Sequence, residues 1–211
     1  MYTNQFSVRV VGGSEVDGGY VEISHGQQYS LQLRNDRDVS CDAKVEIDGK
    51  YIGTFRLGAR DGMTLERSLD DDGRFTAYLA GTQDGDKAGL APGHPDNGLI
   101  RVTFTPERKF EPRPVYHGSA WDSAWHNEDG VRGGMYKTTA CSYSGAMPAC
   151  RSEMGTGLSG HSGQRFVSVG ALDYDYSGQT VIHLRLVGRK YASDGPRPLV
   201  PHTTPIPPPV R

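Results

Sequence analysis

Cys41-Asp42-Ala43-Lys44-Val45-Glu46-Ile47-Asp48-Gly49-Lys50-Tyr51-Ile52-Gly53-Thr54-Phe55-Arg56-Leu57 is the stretch that decides the fold class. Cys41, Ala43, Val45 and Ile47 alternate with Asp42, Lys44 and Glu46, the period of a strand with one wet and one buried face. Asp48-Gly49 then supplies the two residues that tolerate positive φ in a two-residue type I′ turn. Tyr51, Phe55 and Leu57 carry the apolar face of the returning strand. The expectation is an antiparallel hairpin, with Cys41 as a small buried hydrophobe.

Outward from this hairpin the pattern repeats. Tyr29, Leu31 and Leu33 alternate with Ser30, Gln32 and Arg34. Further strands are expected at 63–69, 74–79, 99–104, 165–169 and 180–187, where Ile182, Leu184 and Leu186 alternate with His183 and Arg185. The best helical candidate, 82–90, is short, polar and broken by glycine. Asp70-Asp71-Asp72-Gly73 reads as a solvated turn, because the alternating acid pattern of a calcium loop is missing. Strands with frequent turn signals predict an all-β, antiparallel β-sandwich, jelly-roll-like or immunoglobulin-like. With 28 glycines and 13 prolines in 211 residues, long ordered loops are expected between the strands.

The organisation read from the chain is a sandwich over 1–110 and a Gly- and aromatic-rich irregular excursion over 111–164. Returning strands over 165–190 complete the fold, and 191–211 form an extended arm. The arm contains Pro196, Pro198, Pro201, Pro205, Pro207, Pro208 and Pro209; proline fixes φ and removes donors, so a polyproline II or extended conformation follows. A neighbouring subunit is the expected support for such an arm.

A formal net charge of −2 with interleaved signs gives no basic stripe to neutralise a phosphate backbone, so nucleic-acid binding is not expected. Met1-Tyr2-Thr3-Asn4-Gln5 has no charged segment leading into an apolar run, so no signal peptide is expected, and no apolar stretch approaches a membrane span. Cys141 and Cys150 bracket a loop in which a disulfide and two reduced thiols are both open readings.

Motifs with chemical overtones resolve to plainer readings. Gly155-Thr156-Gly157-Leu158-Ser159-Gly160 fits G-x-G-x-x-G, yet its flanks supply neither the strand nor the helix of a dinucleotide site. A flexible, closely packed loop is expected there. Gly160-His161-Ser162-Gly163 fails the spacing of a serine-hydrolase elbow, since Gln164 stands where the last glycine belongs. His117, His126 and His161, with Asp122 and Glu128, match no closed metal-ligand spacing. No catalytic residue, metal or cofactor is assigned. Trp121 and Trp125, with Tyr116, Tyr136 and Tyr143 nearby, admit three readings: a mini-core, a subunit interface or a glycan platform. The candidate interface residues are Trp121, Trp125, Tyr136, Tyr143, Pro205, Pro207 and Pro208.

Three stretches resemble segments of uncharacterised proteins of phages, large DNA viruses and some bacteria. They are Leu33-Arg34-Asn35-Asp36 through Cys41 to Lys50, Gly155 through Ser162, and Ile182-His183-Leu184-Arg185-Leu186-Val187. The resemblance implies a β-sandwich of virion or cell-surface structures, of the capsid decoration, cement or head-fibre kind, with no catalytic residues. It covers neither the Trp121 and Trp125 loop nor the proline-rich tail. The expected function is that of a non-enzymatic, homo-oligomeric virion protein on the capsid exterior. It would be made in the host cytoplasm and bind coat proteins through its irregular segment and arm. A carbohydrate-binding sandwich for host attachment is one alternative; a hydrolase with a site in 115–164, using His161 or His126, is the other.

Overall fold

The computed structural model describes residues 1–109 and 152–188. Within them the chain forms β1 (Tyr2–Thr3), β2 (Phe6–Val11), β3 (Ser14–Val16), β4 (Tyr20–Ile23), β5 (Gln27–Gln28), β6 (Ser30–Asn35), β7 (Cys41–Ile47), β8 (Lys50–Leu57), β9 (Gly62–Leu65), β10 (Arg74–Leu79), α1 (Gln83–Lys87), β11 (Leu99–Pro106), β12 (Met154–Ser159) and β13 (Thr180–Gly188). The protein is all-β and sandwich-like. A six-stranded sheet runs β3-β4-β13-β11-β7-β8, antiparallel except where β13 and β4 run parallel. A four-stranded sheet, β1-β2-β6-β9, and a three-stranded sheet, β12-β10-β5, lie edge to edge. They are stitched where the Tyr29 N–H donates to Phe75 O (3.0 Å) and the Phe75 N–H donates to Glu66 O (2.9 Å).

The core follows from the period-2 patterns. Phe6, Val8 and Val10 of β2, Leu31 and Leu33 of β6, and Phe75 and Ala77 of β10 are fully buried with Cys41, Ala43, Val45, Ile100, Val102 and Phe104 of the larger sheet. Phe6 and Phe104 stack across the two layers, ring centroids 4.6 Å apart. Cys41 is buried as expected, and burial pushes its thiol up to about 12.

The central hairpin forms in the expected register, with Asp48 (φ 51°) and Gly49 (φ 73°) both in the left-handed region that the turn requires. Its returning strand departs from simple alternation. Val45 pairs Gly53 and Glu46 pairs Tyr51, so Ile52 is an extra residue and β8 carries a bulge. The bulge reverses the phase. Tyr51, expected on the buried face with Phe55 and Leu57, is 54% exposed, while Ile52 packs against the core. Gly53 is obligatory there: its φ is 153°, and a Cβ would lie 2.6 Å from Phe55 Cζ and 2.7 Å from Leu69 Cγ.

Four other expectations are corrected. The strand expected at 63–69 ends at Leu65, because the chain curls around the buried Arg67, whose guanidinium collects the carbonyls of Ser68 and Asp71. Gly155 to Ser159, read as a flexible loop, belong to β12, paired along its length with β10. The glycines are there because other side chains lie flat on the strand: a Cβ on Gly155 would overlap Leu90, and one on Gly157 would sit 2.6 Å from Tyr78 Cε2. Residues 165–169, expected as a strand, pair with no strand among the described residues. The Gln164 side chain takes the ladder positions on β9 instead, its amide donating to Thr64 O (2.6 Å) and accepting from the Glu66 N–H (3.0 Å). The helical candidate shortens to α1, capped by Thr82 Oγ1, which accepts from the Gly85 N–H (3.1 Å).

Candidate binding groove

Where the hairpin tip meets β12, a cavity of about 540 Å³ opens between two sheets. Its walls come from the hairpin tip either side of Gly49, Ser68 and Asp70, Phe75 and Tyr78 on β10, Asp84, Lys87 and Ala88 around α1, and Thr156 to Leu158 on β12. That size suits a small ligand or a short extended peptide.

Asp48 fixes the geometry. As the first residue of the turn it points back, and its carboxylate accepts from the Gly98 N–H and the Thr156 N–H, each at 2.6 Å. One side chain thus ties the hairpin tip to the start of β11 and the middle of β12. Burial raises the Asp48 pKa, and the two amide donors hold part of that rise back. The Tyr29 hydroxyl meets Thr156 Oγ1 at 2.7 Å, and burial raises the phenol pKa. At the rim, Lys87 pairs Asp84 at 3.5 Å and His25 Nε2 lies 3.8 Å from the same carboxylate. Asp70 has no cation at ion-pair distance among the described residues. The groove therefore offers an apolar floor (Ile52, Phe75, Leu158) and a charged rim, a binding arrangement.

A second surface is an extended strap over 160–174. Arg67 donates to Gln164 O from Nε (3.0 Å) and from a terminal nitrogen (2.7 Å). Its guanidinium lies 4.7 Å above the Phe166 ring, which packs against Phe55 with centroids 5.1 Å apart. Further along, Arg56 donates to Gly170 O (2.8 Å) and grips the Asp42 carboxylate, which also accepts from the Tyr174 hydroxyl. Burial pushes the Asp42 pKa up, but those partners outweigh it and the net shift is downward. Between the anchors, Val167 (86% exposed) and Val169 (57%) stand in solvent.

No protein-family model, curated protein or solved structure matches the chain.

The candidate interface residues Trp121, Trp125, Tyr136, Tyr143, Pro205, Pro207 and Pro208 lie outside the described residues, as do Cys141, Cys150, His117, His126, Asp122 and Glu128. His161 is at the surface. Its neighbour Ser162 is buried, donates to Glu66 Oε2 (3.0 Å) and accepts from the Gln164 N–H (3.3 Å), so it anchors the strap. In the acidic turn Asp71 Oδ1 accepts from the Gly73 N–H (2.7 Å), as an Asx turn does. Among the described residues no group of His, Cys, Asp or Glu is placed to hold a metal ion. Sequence reading found Asp48 as a turn residue and missed it as a tether, since its partners lie 50 and 108 positions away.

Proposed function

We propose that this chain is a non-enzymatic structural protein of a virion exterior, working by contact with coat proteins and with further copies of itself. The contact-making part of this reading rests on the strap. An extended segment fixed by buried side-chain anchors, with two apolar residues turned outward between them, is a pre-ordered surface that loses little entropy on binding. Partners gain area there by covering Val167 and Val169 while the Arg67 and Phe166 stack holds its shape. The virion assignment is supported by the likeness of the hairpin, the β12 segment and the last strand to proteins of phages and large DNA viruses.

The test uses intact particles of the virus that encodes the chain. Antibody against residues 1–109 should label their outer surface, and a full-length Val167→Asp, Val169→Asp double variant should fold with unchanged Tm but fail to enter particles. Label confined to infected-cell cytosol overturns the virion assignment. Normal incorporation of the double variant overturns the role of the strap.

A further inference from the structure

The groove's long walls are strand edges. β12 is an outer strand of its sheet and β8 of the larger one. On β12 three hydrogen bonds fix the direction of each peptide group. Glu153 O accepts from the Ala80 N–H (3.0 Å), on the side of β10. Ser152 O accepts from the Gly188 N–H (2.9 Å) and the Thr156 N–H donates to Asp48, both on the other side. Even-numbered residues of β12 therefore turn their N–H and C=O groups away from β10. Leu158 comes next on that side, opposite Phe75, whose own N–H and C=O are taken by Glu66 and Tyr29. The Leu158 amide and carbonyl have no partner among the described residues, so they are a template for one added residue of extended chain.

The chain itself carries a segment whose sequence suits that position. β13 ends at Gly188, whose N–H is held by Ser152 O at the foot of β12, and 23 residues of sequence follow it. From Ser152 to Leu158 the strand climbs roughly 20 Å at about 3.3 Å per residue. The 23 residues that follow Gly188 (211 − 188) reach roughly 70 Å at about 3.1 Å per residue in polyproline II. Pro205-Ile206-Pro207 supplies the matching chemistry. In an extended chain the N–H and C=O of Ile206 face one side. The nitrogens of Pro205 and Pro207, which carry no hydrogen, face the other, as proline does on a sheet edge. Charge agrees too. Arg189, Lys190, Arg197 and Arg211 against Asp194 give +3 (4 − 1). Asp48, Asp70 and Asp84 against Lys50 and Lys87 give −1 (2 − 3) at the groove.

We propose that this groove is the receptor for the chain's own C-terminal arm, with Ile206 exchanging two hydrogen bonds with Leu158 and resting its side chain on Ile52 and Leu158. The arm binds in its own molecule, because a tether that spans the distance keeps its effective concentration near millimolar. This inference goes beyond the virion reading and does not depend on it.

The experiment uses the full chain. A photo-crosslinking amino acid at Thr204 should label residues 50–52 or 156–158. In an equal mixture of light and heavy isotope-labelled chains, each crosslinked peptide pair should carry one isotope only. Label elsewhere overturns the proposal, and mixed-isotope pairs show the arm of a second copy in the groove, which overturns binding within one molecule. Independently, hydrogen exchange at the Leu158 amide should speed up about tenfold or more in Ile206→Asp, while the Val102 amide in the central sheet keeps its rate. An unchanged Leu158 rate overturns the pairing. Neither readout involves particles, so failure here leaves the virion reading standing and failure of that reading leaves this one.

Discussion

At the scale of single residues, two aspartates pull stability in opposite directions as pH changes. Asp48 has a raised pKa, so ionising it costs folding free energy; that cost is absent below the ordinary aspartate value of about 3.9 and complete above the folded value. Asp42 has a lowered pKa, so its ion pair with Arg56 contributes fully above about 3.9 and is lost as pH falls through the lower folded value. Asp42→Asn should therefore lower the urea midpoint at pH 7, with the gap to wild type narrowing as pH drops below about 4. A constant gap would mean that the carboxylate charge is not what Arg56 and Tyr174 recognise. Asp48→Ala leaves the Gly98 and Thr156 amides unsatisfied and should cost about 1–3 kcal/mol in urea unfolding at pH 7. Asp48→Asn keeps one acceptor and should fall between Ala and wild type.

At the scale of elements, side chains do the work that backbone ladders do elsewhere. Gln164 substitutes for a strand partner of β9, and Arg67 organises both the turn after β9 and the start of the strap. Arg67→Ala removes charged donors from several carbonyls and the stack on Phe166. It should cost about 2–3 kcal/mol and make the peptide bond after Arg165 the first site of tryptic cleavage. If cleavage after Arg165 is no faster in the variant than in wild type, the strap is held by something other than Arg67. The sequence showed Arg67 and Gln164 only as polar residues near strand ends. No local pattern marks a side chain that will replace a backbone partner 97 or more positions away, because the pairing exists only once β9 and the strap are side by side.

At the scale of the whole molecule, the two layers meet through one apolar cluster, and the Phe6 and Phe104 stack joins them. Phe104→Ala should cost about 3–5 kcal/mol, read as a fall in the chemical-unfolding midpoint. A cost under 1 kcal/mol would show that the layers close over the gap. Removing 193–211 takes nothing from the described core, so the β-sheet circular-dichroism signal and the Tm should change little. Loss of that signal would place the arm within the fold.

The sequence by itself determined the all-β class, the hairpin with its Asp48-Gly49 turn and the core positions of β6, β7 and β13. Each of these is local, carried by alternation over a handful of residues or by the φ that a turn demands. Tertiary structure decided the rest. The bulge at Ile52 rotated Tyr51 outward because Gly53 had to pass beneath Phe55 and Leu69. A glycine-rich run became an edge strand because Tyr78 and Leu90 needed its bare surface. An expected strand over 165–169 became a strap because a side chain already occupied the edge it would have joined. In each case the deciding contact joins residues far apart in the chain, and short-range periodicity carries no record of it.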